Sequence, residues 1–128
     1  MIYVDSSIAL ARLLSEVRSP PDRVWRQHLV SSRLLEYEVW NRIHAYRLTD
    51  TLGDSTRDLL ALVDMVEMTR SVLGRALAPF RSPVRTLDGL HLATAEYLHQ
   101  QDSSLELGSY DEDLKAAATT LGIPLAEL

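Results

Sequence analysis

The chain has no cysteine. That excludes a disulfide scaffold and any thiolate metal centre, and it fits a reducing, cytoplasmic setting. Apolar runs are short. None reaches the roughly 18 residues that a membrane-spanning helix needs. The opening MIYVDSS has neither a basic region nor a long apolar stretch, so no secretory signal is expected. Lysine is almost missing too: Lys115 is the only one among 13 basic residues, and the other twelve are arginine. With a net charge of −5, the chain lacks the basic excess of a simple nucleic-acid binder. Contacts to phosphate would have to come from a few arginines, such as the pairs Arg23/Arg26 and Arg81/Arg85. No P-loop, GxGxxG or GxSxG occurs. Serines are plentiful but have no evident base partner.

What is present is a globular composition, 46% apolar, over 128 residues. That length suits one domain, 1–128, with a core of its own. Short apolar runs alternate with helical periodicity. Strands are expected at 1–4, 29–31, 66–69, 105–109 and 123–125. Helices are expected from Ser6 or Ser7 to about Glu16, and over 22–28, 33–48, 55–64, 71–77, 88–100 and 111–121. Residues 49–54 (TDTLGD) look turn-rich, and Gly122 ends the last helix. This alternation implies an α/β fold: a three-layer α/β/α sandwich around a mostly parallel sheet of four to five strands.

Sites in such sheets form beyond the carboxyl ends of the strands. Asp5 directly follows the first strand, and Asp111 lies just past the fourth. Glu38 is early in the helix after the second strand, in competition with Glu36, which faces elsewhere. Asp88 caps or opens its own helix. Each acid also has a plain alternative: Asp5, Asp88 and Asp111 as helix caps or dipole partners, Glu38 as a solvated helix face. Convergence would be costly without a cation, because neighbouring carboxylates repel. Oxygen-only ligands suit Mg²⁺ or Mn²⁺. Ions of that kind activate water and stabilise charge on phosphoryl oxygens, so the implied chemistry is phosphodiester hydrolysis. His91 shares a helix face with Asp88, as a ligand, a general base or a half-buried structural histidine. Trp25 and Trp40 are expected in the core or facing a partner.

Several segments resemble PIN domains, in order and across nearly the whole chain. IYVDSSIAL is similar to their strand–Asp–Ser/Thr–Ser opening. SSRLLEYEVWNRI resembles the second motif, with its acid six positions after a serine, which selects Glu38 from Ser32. RTLDGLHLATA is close to "LDALHLATA" and selects Asp88. LGSYDEDLKAAATTLGIPL resembles "TYDxxLxxAAxxxGxxV" and selects Asp111. Within the family the likeness is to VapC-type toxins. It implies a Mg²⁺- or Mn²⁺-dependent endoribonuclease acting on tRNA or ribosomal RNA, restrained by a cognate antitoxin and usually a homodimer. Asp5, Glu38, Asp88 and Asp111 would bind metal. Ser6 and Ser109 would stand near it, Ser109 where the family often has Thr, and Asp113 would be an outlying acid. The antitoxin would lay an apolar helix into a groove near Leu13, Leu14 and Trp40. The rival readings are a binding module with a weak site, and a nuclease directed at DNA.

Overall fold

The computed structural model describes residues 1–128. Strand β1 (Ile2–Val4) leads into α1 (Ser6–Leu13), and α2 (Asp22–Trp25) into β2 (Leu29–Ser32). Then come α3 (Leu34–Ala45), α4 (Thr49–Leu60) and β3 (Val63–Val66). The chain closes with α5 (Arg70–Leu77), α6 (Thr86–Gln101), β4 (Glu106–Gly108) and α7 (Glu112–Thr120).

The strands form one parallel sheet in the order β3-β2-β1-β4. Successive side chains on a strand point to opposite faces. Ile2, Val4, Leu29 and Val63 therefore enter one core with Ile8, Leu35, Val39, Ile43 and Leu59 from α1, α3 and α4. Tyr3, Val30 and Leu107 enter the other with Leu92, Ala95, Leu114 and Ala118 from α6 and α7. Both faces are covered, which is why β1 and β2 are buried at every position and apolar through Val30; the buried Ser31 Oγ donates to Val4 O at 2.6 Å and Ser32 Oγ accepts from Leu34 N at 3.1 Å. Helix α5 packs on α6, where Arg75 Nε reaches Glu96 Oε1 at 2.7 Å. Leu35 is fully buried, and truncating such a leucine to alanine costs about 2–5 kcal/mol.

Three local expectations change. Residues 49–54 are the first half of α4 and not a turn. Thr, Asp and Gly are poor helix formers, but Gly53, Thr56, Leu59 and Leu60 line one buried face, and packing overrides propensity. The third strand is Val63–Val66, so the expected helix over 55–64 ran too far. Its register, Leu29 opposite Val63, buries Val63 and leaves Asp64 at the sheet edge, 2.7 Å from His28 Nε2. Residues 123–125 form only one bridge, Leu107 to Leu125. Pro124 has no N–H to extend a ladder.

Gly122 ends α7 as expected. It takes φ +76°, its N–H bonds Thr119 O, and Ile123 N–H reaches back to Ala118 O. Helix α3 ends in the same geometry without a glycine: Arg47 holds φ +57°.

Candidate active site

The chain builds β1, β2 and β3 outward in one direction and then returns to place β4 on the far side of β1. The crevice between the carboxyl ends of β1 and β4 is thus the point where strand order reverses, the usual position of sites in open parallel sheets. Gly108 makes the close pairing there feasible, since a Cβ would sit 3.1 Å from Ile2 Cγ2. Asp5 leaves β1 at this point and Ser109 leaves β4.

Asp5 is both an N-cap and a pocket wall. Its Oδ1 accepts from Ser7 N at 3.1 Å, Ser7 Oγ at 2.6 Å and Ile8 N at 3.4 Å, and its Oδ2 from Ser109 Oγ at 2.6 Å. The residue is only 5% exposed and has no basic partner within ion-pair distance. Burial pushes its carboxyl above the usual range, against the opposing hydrogen bonds of Ser109 and Ser7. Ser109 Oγ also accepts from Asp111 N at 2.9 Å, so one hydroxyl ties the two acids' loops together.

Asp111 caps α7: its Oδ1 accepts from Asp113 N at 2.9 Å and Leu114 N at 3.1 Å. Its Oδ2 is left for Arg85 Nη2, at 2.7 Å. Arg85 Nε also reaches Asp88 Oδ2 at 3.2 Å, so one guanidinium spans two carboxylates. Asp88 lies in the first turn of α6 and does not cap it; the cap position is Arg85. Burial and the charge of Asp111 push the Asp88 carboxyl up, and Arg85 pulls it down. Glu38 lies on α3 and is hydrogen-bonded to His91 Nε2. The other ring nitrogen of His91 meets Tyr3 Oη at 2.7 Å. Tyr3 Oη accepts from Ser32 N, so its single proton is free to go to His91 Nδ1. That arrangement makes Nε2 the donor to Glu38.

Asp5, Glu38, Asp88 and Asp111 all line one pocket of about 530 Å³, with Ser6, Ser7, Arg42, Arg85, Thr86 and His91 among its other walls. The N-termini of α1, α6 and α7 face the same space, and their partial positive charge offsets some of the repulsion. As they stand, no three acidic or histidine side chains are gathered closely enough to grip an ion. Glu38 is turned to His91, and Arg85 bridges Asp88 and Asp111. In donor chemistry, carboxylate oxygens with no sulfur fit a hard divalent cation.

Ser6 lines the pocket, but the hydroxyl that holds Asp5 belongs to Ser7. Asp113 is exposed and outside the lining. Glu36 turns away, 3.7 Å from Arg33. Ser7, Tyr3 and Arg85 were not singled out for these roles from the sequence. Arg85 had a usable signal, one helical turn before Asp88 on the same face.

The chain matches the PIN domain over residues 2–119. It belongs to the PIN-domain family. Ribonuclease VapC46 of Mycobacterium tuberculosis is 35% identical over 133 residues, covering 95% of this chain and 93% of that protein. Ribonuclease VapC35 of the same organism is 30% identical, with 96% and 93% covered. Among solved structures, this PIN domain is similar to a chain in a toxin–antitoxin complex from Klebsiella pneumoniae, with a TM-score of 0.57 and 19% identity, covering 88% of this chain and 89% of that one. The α/β/α sandwich with its parallel four-stranded sheet agrees with that family. No helix of this PIN domain is long and apolar enough to cross a membrane.

Proposed function

We propose that this PIN domain is an endoribonuclease that hydrolyses phosphodiester bonds of tRNA or ribosomal RNA, as the toxin of a toxin–antitoxin pair. The observation that carries the reading is that Asp5, Glu38, Asp88 and Asp111, from four separate segments, line one pocket. The names of its relatives, both ribonucleases, support the reaction class. The neighbouring solved structure, a toxin–antitoxin complex, supports the biological setting.

Asp5, Glu38, Asp88 and Asp111 are the residues that would hold Mg²⁺ or Mn²⁺. Such an ion, when bound, activates water and stabilises charge on a phosphoryl oxygen. The protein's own contribution is to fix the acids. Ser7 and Ser109 lock the Asp5 carboxylate, His91 orients Glu38, and the α7 cap holds one oxygen of Asp111. Both serine hydroxyls spend their protons on Asp5, so neither is set up as a nucleophile. The reaction is direct hydrolysis: water adds to phosphorus as the bond to the 3′ oxygen breaks. Arg85, most of whose side chain is exposed, is placed to meet the phosphate.

The same reading includes a cytoplasmic location, a homodimer and an antitoxin helix. The apolar groove nearest the expected one is lined by Leu13, Trp25, Leu52, Leu59 and Leu62. Trp40 instead stacks on His44, and Leu14 lines a different groove.

The test is cleavage of RNA and of matched DNA by the purified chain with Mg²⁺, with Mn²⁺ and with EDTA. RNA should be cut only with metal, and D5N should lose several decades of rate. Equal cleavage in EDTA, or a fully active D5N, ends the reading. Cleavage of DNA alone makes the chain a DNA nuclease, and binding without cleavage makes it an interaction module.

A further inference from the structure

A second groove, of about 300 Å³, opens beside the carboxylate pocket and shares Ser7, Leu10 and Arg42 with it. Its remaining walls include Arg18, Tyr46, Tyr110 and one acid, Glu16. In a chain of net charge −5, this is a local excess of positive charge directly next to the acids.

Two arginines combine features that no other arginine combines. Arg12, Arg33, Arg57, Arg75 and Arg85 each have a carboxylate within 4.0 Å. Of the seven arginines without one, Arg18 and Arg42 are the two that lie against an aromatic ring, in both cases a tyrosine. Arg18 Cζ is 4.4 Å from the Tyr110 ring centroid and Arg42 Cζ is 5.7 Å from that of Tyr46. Arg18 Nη2 donates to the Tyr110 carbonyl at 3.2 Å, which holds the guanidinium over the ring, and its other N–H groups make no hydrogen bond within the protein. Tyr110 is itself tied to the site. It lies between Ser109 and Asp111, and its N–H donates to Ser7 Oγ at 2.9 Å, the hydroxyl that holds Asp5.

We infer that this groove binds the single-stranded RNA segment flanking the cut phosphate: Arg42 contacts the adjoining phosphate, and the next base stacks on the Arg18–Tyr110 platform. A free guanidinium edge matches phosphate oxygens, and planar Arg and Tyr surfaces accept any base face. The strand is single because unpaired bases offer a free face to such a platform, whereas a duplex base would first have to be unpaired and unstacked. The inference rests on the ribonuclease reading for the identity of the strand, but not for the existence of the subsite.

The test is fluorescence anisotropy of the full chain with a labelled single-stranded oligoribonucleotide, in EDTA and across a salt series. The variants are R18Q, R42Q and Y110L, with R70Q as the control. Loss of stacking in Y110L should weaken binding by about five- to a hundredfold. R42Q should weaken it and make the salt dependence shallower by about 0.7 in log–log slope, the value of one single-strand phosphate contact. R18Q should fall between wild type and Y110L, and R70Q should match wild type. Because Y110L touches the loop of Asp111, the exposed R18Q and R42Q decide if that variant unfolds. A chain that cuts RNA but binds it equally well as R18Q and R42Q overturns the subsite and leaves the nuclease reading intact. A chain that binds through these residues and never cuts keeps the subsite and ends the nuclease reading. Loss of affinity for an acidic peptide, with RNA binding unchanged, overturns the inference in favour of a protein occupant.

Discussion

Glu38 and His91 lie 53 positions apart, and the imidazole of one orients the carboxylate of the other. His91 is 2% exposed and its second nitrogen is held by Tyr3, in the sheet interior. A side chain at the pocket wall is thus steered from the core, through a ring that does not itself need to touch substrate.

Replacing His91 by alanine should therefore cost both activity and stability. Partners that orient ligating side chains are typically worth about 10–100-fold, and that loss is expected in kcat. The buried Tyr3 hydroxyl loses a partner, which should lower stability by about 1–3 kcal/mol. H91A that cleaves RNA at the wild-type rate with an unchanged denaturation midpoint sinks the positioning role.

Asp5→Asn separates catalysis from folding. Asparagine caps a helix about as well as aspartate, so α1 should survive. The folded-state carboxyl of Asp5 is raised by burial, so the unfolded chain gives up this proton at a lower pH than the native one. Its contribution to stability is then present below the unfolded value and falls as pH rises through the raised folded value. In EDTA, D5N should lose that part of the decline and melt higher than wild type at neutral pH. Thermal unfolding between pH 4 and 8 reads this directly. An identical pH profile for the two proteins would contradict the burial argument.

Arg85→Ala should push Asp88 further in the direction it already leans. Burial and Asp111 raise this carboxyl and the guanidinium opposes them. Without Arg85, Asp88 should hold its proton to a higher pH, visible as a shifted midpoint in a carboxyl-carbon NMR titration. The stability lost as pH rises through that midpoint should move upward with it. An unmoved midpoint means that Arg85 does not neutralise this pair in solution.

Arg47→Gly tests the end of α3. A non-glycine residue at φ +57° carries a steric cost that glycine does not. The gain is partly offset by the greater freedom of glycine in the unfolded chain. The expected net stabilisation is about 0.5–1 kcal/mol, seen as a rise in Tm with unchanged RNA cleavage. A fall in Tm would show that the Arg47 side chain contributes more than its backbone strain costs.

Much of this was legible before any coordinates. Strand β1 and the first half of β2 betray themselves because both faces are buried and Ile2, Tyr3, Val4, Leu29 and Val30 run on without a charged residue. The motifs around Asp5 and Asp111 carry their own helix caps, so their local geometry follows from neighbouring residues. Helix α4 was not legible over 49–54, because its hydrophilic first turns are held by burial of Gly53 and Thr56 and not by local preference. The end of the chain failed as a strand for a different reason: Ile123 packs, but Leu125 is exposed and Pro124 cannot donate.

By itself the sequence determined which chemistry was available. Without cysteine, and with acids at the ends of predicted strands, oxygen ligands and phosphate-directed hydrolysis were the chemistry in view. It also determined the sandwich, since the periodicity of apolar residues is a local property. Only the tertiary structure decided which partner each acid keeps. The pairing of Glu38 with His91, the reach of Arg85 to Asp111, and the meeting of Ser109 with Asp5 and of Tyr110 with Ser7 all depend on where distant segments meet. Hydrogen bonds act over about 3 Å, and no pattern along one strand of sequence encodes a distance that short between elements folded in from opposite ends.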